Sequence, residues 1–176
     1  GHEGASGKPG DTVHAVMERE KVATLQSVQN ALGAFVFAWG GAEWHLAALV
    51  SLIWSLDQDK APKKQPTGFD SANRFCMEYY AVLGRPEAKQ LFVSLNQLAD
   101  YRAHLLKGVL NTRLMSVDRL IFRKVDFRPN RDTRSEIKTS VQEINECARS
   151  IFDIDKKLNE LISEFHKMAE DGQIRR

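Results

Sequence analysis

The stretch Leu32–Trp54, "LGAFVFAWGGAEWHLAALVSLIW", decides how this chain folds. It is the most apolar run in the sequence, and Glu43 is its only formal charge. Its length and hydrophobicity permit a membrane span over 32–54. Glu43 and His45 near its midpoint, and the Gly40-Gly41 pair, argue against one. The more polar segments elsewhere also need an apolar partner. A helix apolar nearly all round is then the centre of a bundle or a subunit interface, and no membrane is expected.

Working outward, "DQDKAPKKQPTG" (Asp57–Gly68) is a charged, proline-bearing connection that ends this helix. A second helix is predicted over about Asp70–Leu83, with Gly84 as its stop. A third starts with Pro86 at its first position and carries a stripe of Leu91, Leu95, Leu98, Leu105 and Leu106 to Gly108. From Asn111 to Arg131 the helical period breaks. "DRLIFRKVDF" (Asp118–Phe127) alternates imperfectly and predicts a short hairpin or irregular arm. "TRSE" (Thr133–Glu136) reads as a capping box opening a long helix to about Met168. Ile137, Val141, Ile144, Ala148, Ile151, Leu158, Ile162 and Phe165 form its seam, interrupted by Asp155. Such a seam packs on neighbouring helices, or on a second copy if left uncovered.

The expected fold class is therefore all-α: a four-to-five-helix bundle with an irregular or short β arm between the last two long helices. Residues 1–20 are expected as a disordered or weakly helical leader with no signal peptide. Residues 21–170 form a single helical domain, and 171–176 a disordered tail.

At 176 residues one domain can bury a real core. Cys76 and Cys147 lack metal-ligand spacing and sit in apolar helical patterns, which fits a reducing, cytoplasmic setting. The formal net charge of +2 hides an asymmetry: Arg102–Arg134 holds nine Lys/Arg against three Asp/Glu, while both flanks are net acidic. A basic segment of this kind attracts phosphate or an acidic partner, and otherwise it is a solvated loop. The sequence contains no glycine-rich phosphate loop, zinc cluster or Ser/His/Asp elbow. His14 and Glu18 share helical i, i+4 spacing but lack a third ligand. No metal or cofactor is expected.

The basic segment begins inside "YRAHLLKGVL" (Tyr101–Leu110), which gathers Arg102, His104, Lys107 and Gly108. With the upstream Trp39-x-x-x-Glu43 pattern and the long last helix, the region from Leu25 to Lys167 resembles the HEPN superfamily (higher eukaryotes and prokaryotes nucleotide-binding). It resembles in particular the bacterial HEPN-like proteins that carry Arg-Asn-x-x-x-His-Gly. The resemblance implies a homodimer whose two motifs line a shared cleft. Members with an intact motif are commonly metal-independent endoribonucleases, often the toxins of toxin–antitoxin pairs. In that chemistry the arginine holds the scissile phosphate and the histidine moves protons.

Carried over, Arg102 takes the arginine position and Gly108 the glycine, but Ala103 stands for the asparagine and Lys107 for the histidine. A lysine ammonium binds phosphate as a point charge and is a poor base at neutral pH. The first expectation is therefore a dimeric HEPN-like protein with a degenerate motif. It would bind RNA or another phosphate-bearing partner through Arg102, Lys107, Arg113, Arg119, Arg123 and Lys124 without cleaving it. The second is a residual endoribonuclease using Arg102 with His104 or Lys107 as catalytic residues. The third is an interaction subunit whose basic arm meets an acidic protein, with Arg102 in a structural ion pair to Glu43 or Asp100. Glu43 and His45 are read as interface polars that fix helix register. Trp39, Trp44, Trp54, Tyr79 and Tyr80 are read as core or dimer contacts rather than base-stacking platforms.

Overall fold

A computed structural model describes residues 9–125 and 134–174. Four helices and one small sheet make up these residues: α1 (Pro9–Leu56), α2 (Phe69–Val82), α3 (Pro86–Lys107), β1 (Val109–Leu110), β2 (Leu120–Val125), β3 (Arg134–Thr139) and α4 (Val141–Glu170). The helical bundle with a short β arm before the last helix is thus the fold the sequence predicts.

The apolar run is the middle of a much longer helix. α1 spans 48 residues, about 72 Å at helical rise. Residues expected as a leader belong to it from Pro9 onward, while residues 1–8 and 175–176 lie outside the described ones. Its inner side (Val28, Phe35, Trp39, Leu46, Leu49 and Ile53 among others) is buried. α4 covers most of that side. Phe37 meets Phe152, His45 pairs with Asp155, and Tyr79 touches both Asp57 and Phe165. These contacts advance together along both helices, so α1 and α4 run parallel; the connection after α1 makes the return, with Gln65 on Ser51 and Phe69 against Trp39, and the α2–α3 hairpin rises and comes back beside them.

Gly84, at φ 69°, turns that hairpin in the left-handed region a side chain disfavours. Inside it Asn73 donates from Nδ2 to the Phe92 carbonyl at 2.7 Å. Arg85 then clamps the start of α3 to Glu164 of α4 at 3.2 Å. Asp155, the break in the seam, is where α4 accepts His45. Gly41 leaves room for it, since a Cβ there would lie 2.9 Å from Asp155 Oδ2.

Two local expectations are corrected. The Thr133–Glu136 capping box does not open the last helix. Thr133 lies outside the described residues, and Arg134–Thr139 is strand β3, paired antiparallel with β2 (Phe122 opposite Ile137). The cap is Ser140, whose Oγ accepts from the Glu143 N–H at 3.0 Å, while Thr139 donates its hydroxyl to the Glu143 carboxylate at 2.9 Å. "SVQE" carries the same Ser/Thr-x-x-Glu signature as "TRSE", and sheet pairing chose between them. The seam also shifts by one residue in its middle. Ile154 and Leu161 are buried in it, while Ile162 is only half-buried and Ile137 belongs to β3.

Candidate nucleic-acid interface

The sheet is antiparallel in the order β1-β2-β3. Directly opposed residues in such a ladder share a face. One face holds Leu110, Leu120, Phe122, Lys124, Ser135, Ile137 and Thr139, and Leu120, Phe122 and Thr139 are buried. This face packs over the end of α3. The Tyr101 hydroxyl and Thr139 Oγ1 are hydrogen-bonded at 2.6 Å, and His104 Nε2 lies 2.9 Å from Ser135 Oγ. The other face holds Val109, Ile121, Arg123, Val125, Arg134, Glu136 and Lys138. Apart from Ile121 at its base, all of these are exposed.

Gly108 joins α3 to the sheet at a point too tight for a side chain. A Cβ there would meet the His104 carbonyl oxygen at 2.2 Å and the Arg123 carbonyl oxygen at 3.0 Å. Its backbone is extended (φ −88°), so close approach, and not a left-handed turn, requires the glycine.

The motif residues separate in three directions. Arg102 turns toward α1. Its guanidinium carbon lies 5.3 Å from the centre of the Trp39 ring, and Nη2 lies 3.8 Å from Glu43 Oε1. Trp39 donates its indole N–H to the same Glu43 oxygen at 2.6 Å. Stacking of this kind adds about 0.5–1 kcal/mol at a half-exposed site. Arg102 Nε is buried without a protein partner.

His104 is 3% exposed. Its Nδ1 sits 2.9 Å from the Asp100 carbonyl and its Nε2 on Ser135, so both ring nitrogens are engaged inside the protein. Lys107 is exposed in the last turn of α3. Five residues separate it from Arg102, about 140° around a helix. The three candidates for catalysis therefore share no open cleft within one copy of the chain.

The expected phosphate-binding set divides likewise. Arg113, Arg119 and Arg123 are exposed on the arm, whereas Lys124 is half-buried on the inner face, opposite Ser135. Arg123 pairs with Glu136 across the strands at 3.1 Å, an exposed contact worth little in stability. Sequence reasoning missed Arg134 and Lys138 as members of this face because their strand was read as a helix start. The signal is present: Arg134, Glu136 and Lys138 alternate with Ile137 and Thr139 at the period of a strand. His45, half-buried on Asp155, and Glu43 both serve contacts between helices of one chain. Among the described residues no group of His, Cys, Asp and Glu could hold a metal ion, so the His14–Glu18 spacing gains no third ligand.

Both thiols are pushed upward by burial, Cys76 far more than Cys147. That leaves them protonated and poor nucleophiles. Comparison with family models, curated proteins and solved structures yields no match to this chain.

Proposed function

We propose that this chain binds RNA, or another phosphate-bearing polymer, on the outer face of its three-stranded sheet and does not cleave it. One observation carries the reading: Arg123, Arg134 and Lys138 project from one exposed face on which Glu136 is the only acid among the described residues. Lys107, Arg113 and Arg119 are exposed nearby on the chain leading into that sheet. Arginine on a rigid strand presents a donor fork to phosphate oxygens at low entropic cost. The absence of cleavage is argued from His104, whose ring nitrogens are both occupied, and from Arg102, held against Trp39 and Glu43. In the terms of the HEPN resemblance, the motif keeps its arginine and glycine as structural parts, and binding has moved to the arm.

A second reading keeps the same face but gives it an acidic protein as partner, with the chain as an interaction subunit. The Arg102–Glu43–Trp39 contact favours it, because the motif arginine then has a structural task.

Fluorescence anisotropy with a mixed-sequence single-stranded RNA tests the first reading. Three phosphate contacts give a slope of about −2 in log affinity against log salt, and each Arg123→Ala, Arg134→Ala or Lys138→Ala change makes it shallower by about 0.7. RNA affinity unchanged in the triple variant would eliminate the reading. EDTA-resistant cleavage that disappears in Arg102→Ala would instead identify an endoribonuclease.

A further inference from the structure

Along α1, from Val22 to Leu56, Glu43 is the only Asp, Glu, Lys or Arg, and Trp39 and Arg102 engage it. The side of α1 turned away from the core is exposed and carries no charge. It includes Gln26, Gly33, Val36, Phe37, Gly40, Trp44 and Ser51, with Gln29, Ala47 and Ser55 in the same sector about 100° wide. Phe37 is 74% exposed and Trp44 75% exposed. Soluble surfaces normally hold about 25–35% charged residues, so this face departs strongly from a solvated one. Phe152 of α4, itself partly exposed, backs Phe37 with ring centres 6.0 Å apart and holds it in place.

The two glycines add an independent argument. A Cβ at Gly33 or Gly40 would meet nothing within 4 Å. Glycine weakens a helix interior relative to alanine, and nothing among the described residues requires it at either position. A glycine facing empty space on an otherwise apolar stripe admits something that approaches from outside.

We infer that α1 pairs with α1 of a second copy of this chain, antiparallel about a two-fold axis between Ala38 and Trp39. The spacing selects the register. Setting Phe37 against Gly40 of the second copy also sets Trp44 against its Gly33, so every bulky ring meets a glycine. The same register places Gln26 opposite Ser51, polar against polar. A two-fold axis repeats each of these pairings, which makes the surface self-complementary. A parallel pairing would stack ring on ring and leave glycine against glycine.

A bilayer surface fits less well. Helices lying on membranes border their apolar face with Lys and Arg, whereas α1 has neither between Val22 and Leu56. The pairing is independent of the RNA-binding reading, and its test contains no RNA.

Sedimentation equilibrium of the full chain should return twice the 19.9 kDa protomer mass. Trp44→Glu and Gly40→Leu should each raise the dissociation constant by at least roughly 30-fold with unchanged helical circular dichroism. For the register, Trp44→Cys and Gly33→Cys proteins are mixed in a Cys147→Ser background under mild oxidation, and the mixed disulfide should dominate. A monomeric wild-type chain would overturn the proposal. So would Trp44→Cys crosslinking to itself in preference to Gly33→Cys. Pelleting of a monomer with phosphatidylcholine–phosphatidylglycerol vesicles would assign the face to a membrane instead.

Discussion

Gly40 and Gly41 are neighbours in the same helix, yet their replacement by alanine should shift stability in opposite directions. Alanine is better than glycine in a helix interior by about 1 kcal/mol. At position 40 that gain is unopposed within the chain, because the new Cβ meets nothing within 4 Å. For a chain of this size 1 kcal/mol raises the melting temperature by about 2–4 °C.

At position 41 the new Cβ would lie 2.9 Å from Asp155 Oδ2 and 3.3 Å from its Cγ. Asp155 must swing aside and release His45, the polar tie between α1 and α4. A charge-assisted hydrogen bond is worth about 1.5–3 kcal/mol, discounted here because both partners are partly exposed. The net for Gly41→Ala is a loss of about 0.5–1.5 kcal/mol once the helix gain is subtracted.

Thermal melts followed by circular dichroism at 222 nm measure both variants. They are made in a Trp44→Glu background so that self-association does not enter the comparison. Adding Asp155→Ala supplies the decisive control: with the carboxylate gone, Gly41→Ala should become stabilising, as Gly40→Ala is. Equal stabilisation by both alanines while Asp155 is present would refute the argument, as would a Gly41→Ala effect indifferent to Asp155→Ala.

Two further outcomes follow from the buried polar groups. Ser135→Ala removes the partner of the buried His104 Nε2 and should cost about 1–3 kcal/mol in urea denaturation, with RNA affinity within twofold of wild type; an equal fall in RNA affinity would return His104 to the binding site. Burial pushes Tyr101 up to about 12, partly offset by its hydrogen bond to Thr139, and raises Tyr79 and Tyr80 as well. Unfolded tyrosines ionise near pH 10, so above that value the folded chain retains protons the unfolded chain has lost. Stability should be full below about pH 10 and fall as pH rises, by about 1.4 kcal/mol per unit for each tyrosine, with a shallower decline in Tyr101→Phe. Urea melts at pH 9, 10 and 11 that superimpose would contradict this.

Much of the bundle is legible without coordinates because its signals are local and strong. Pro86 and Gly108 bound α3, Gly84 turns the α2–α3 hairpin, and the apolar run from Leu32, with Glu43 as its one charge, reads first as an inner helix or an interface. In the fold it is buried on one side and exposed on the other. The boundary of α4 was hidden because two Ser/Thr-x-x-Glu sequences stand within eleven residues, each satisfying the capping geometry equally well on paper. The motif "YRAHLLKGVL" misled for a related reason. Proximity in sequence suggested a joint task for Arg102, His104 and Lys107, but a helix turns such residues onto different neighbours.

The sequence by itself determined the helical architecture, the place of the arm and the concentration of positive charge, because each follows from composition and period along a single segment. Only the tertiary structure decided what those charges face. Strand pairing between β2 and β3 put Arg123, Arg134 and Lys138 on one side and tied His104 to the other. Packing of α4 on one side of α1 left Phe37 and Trp44 outside. Which face of an element is covered depends on partners distant in the chain, and one-dimensional spacing carries no record of them.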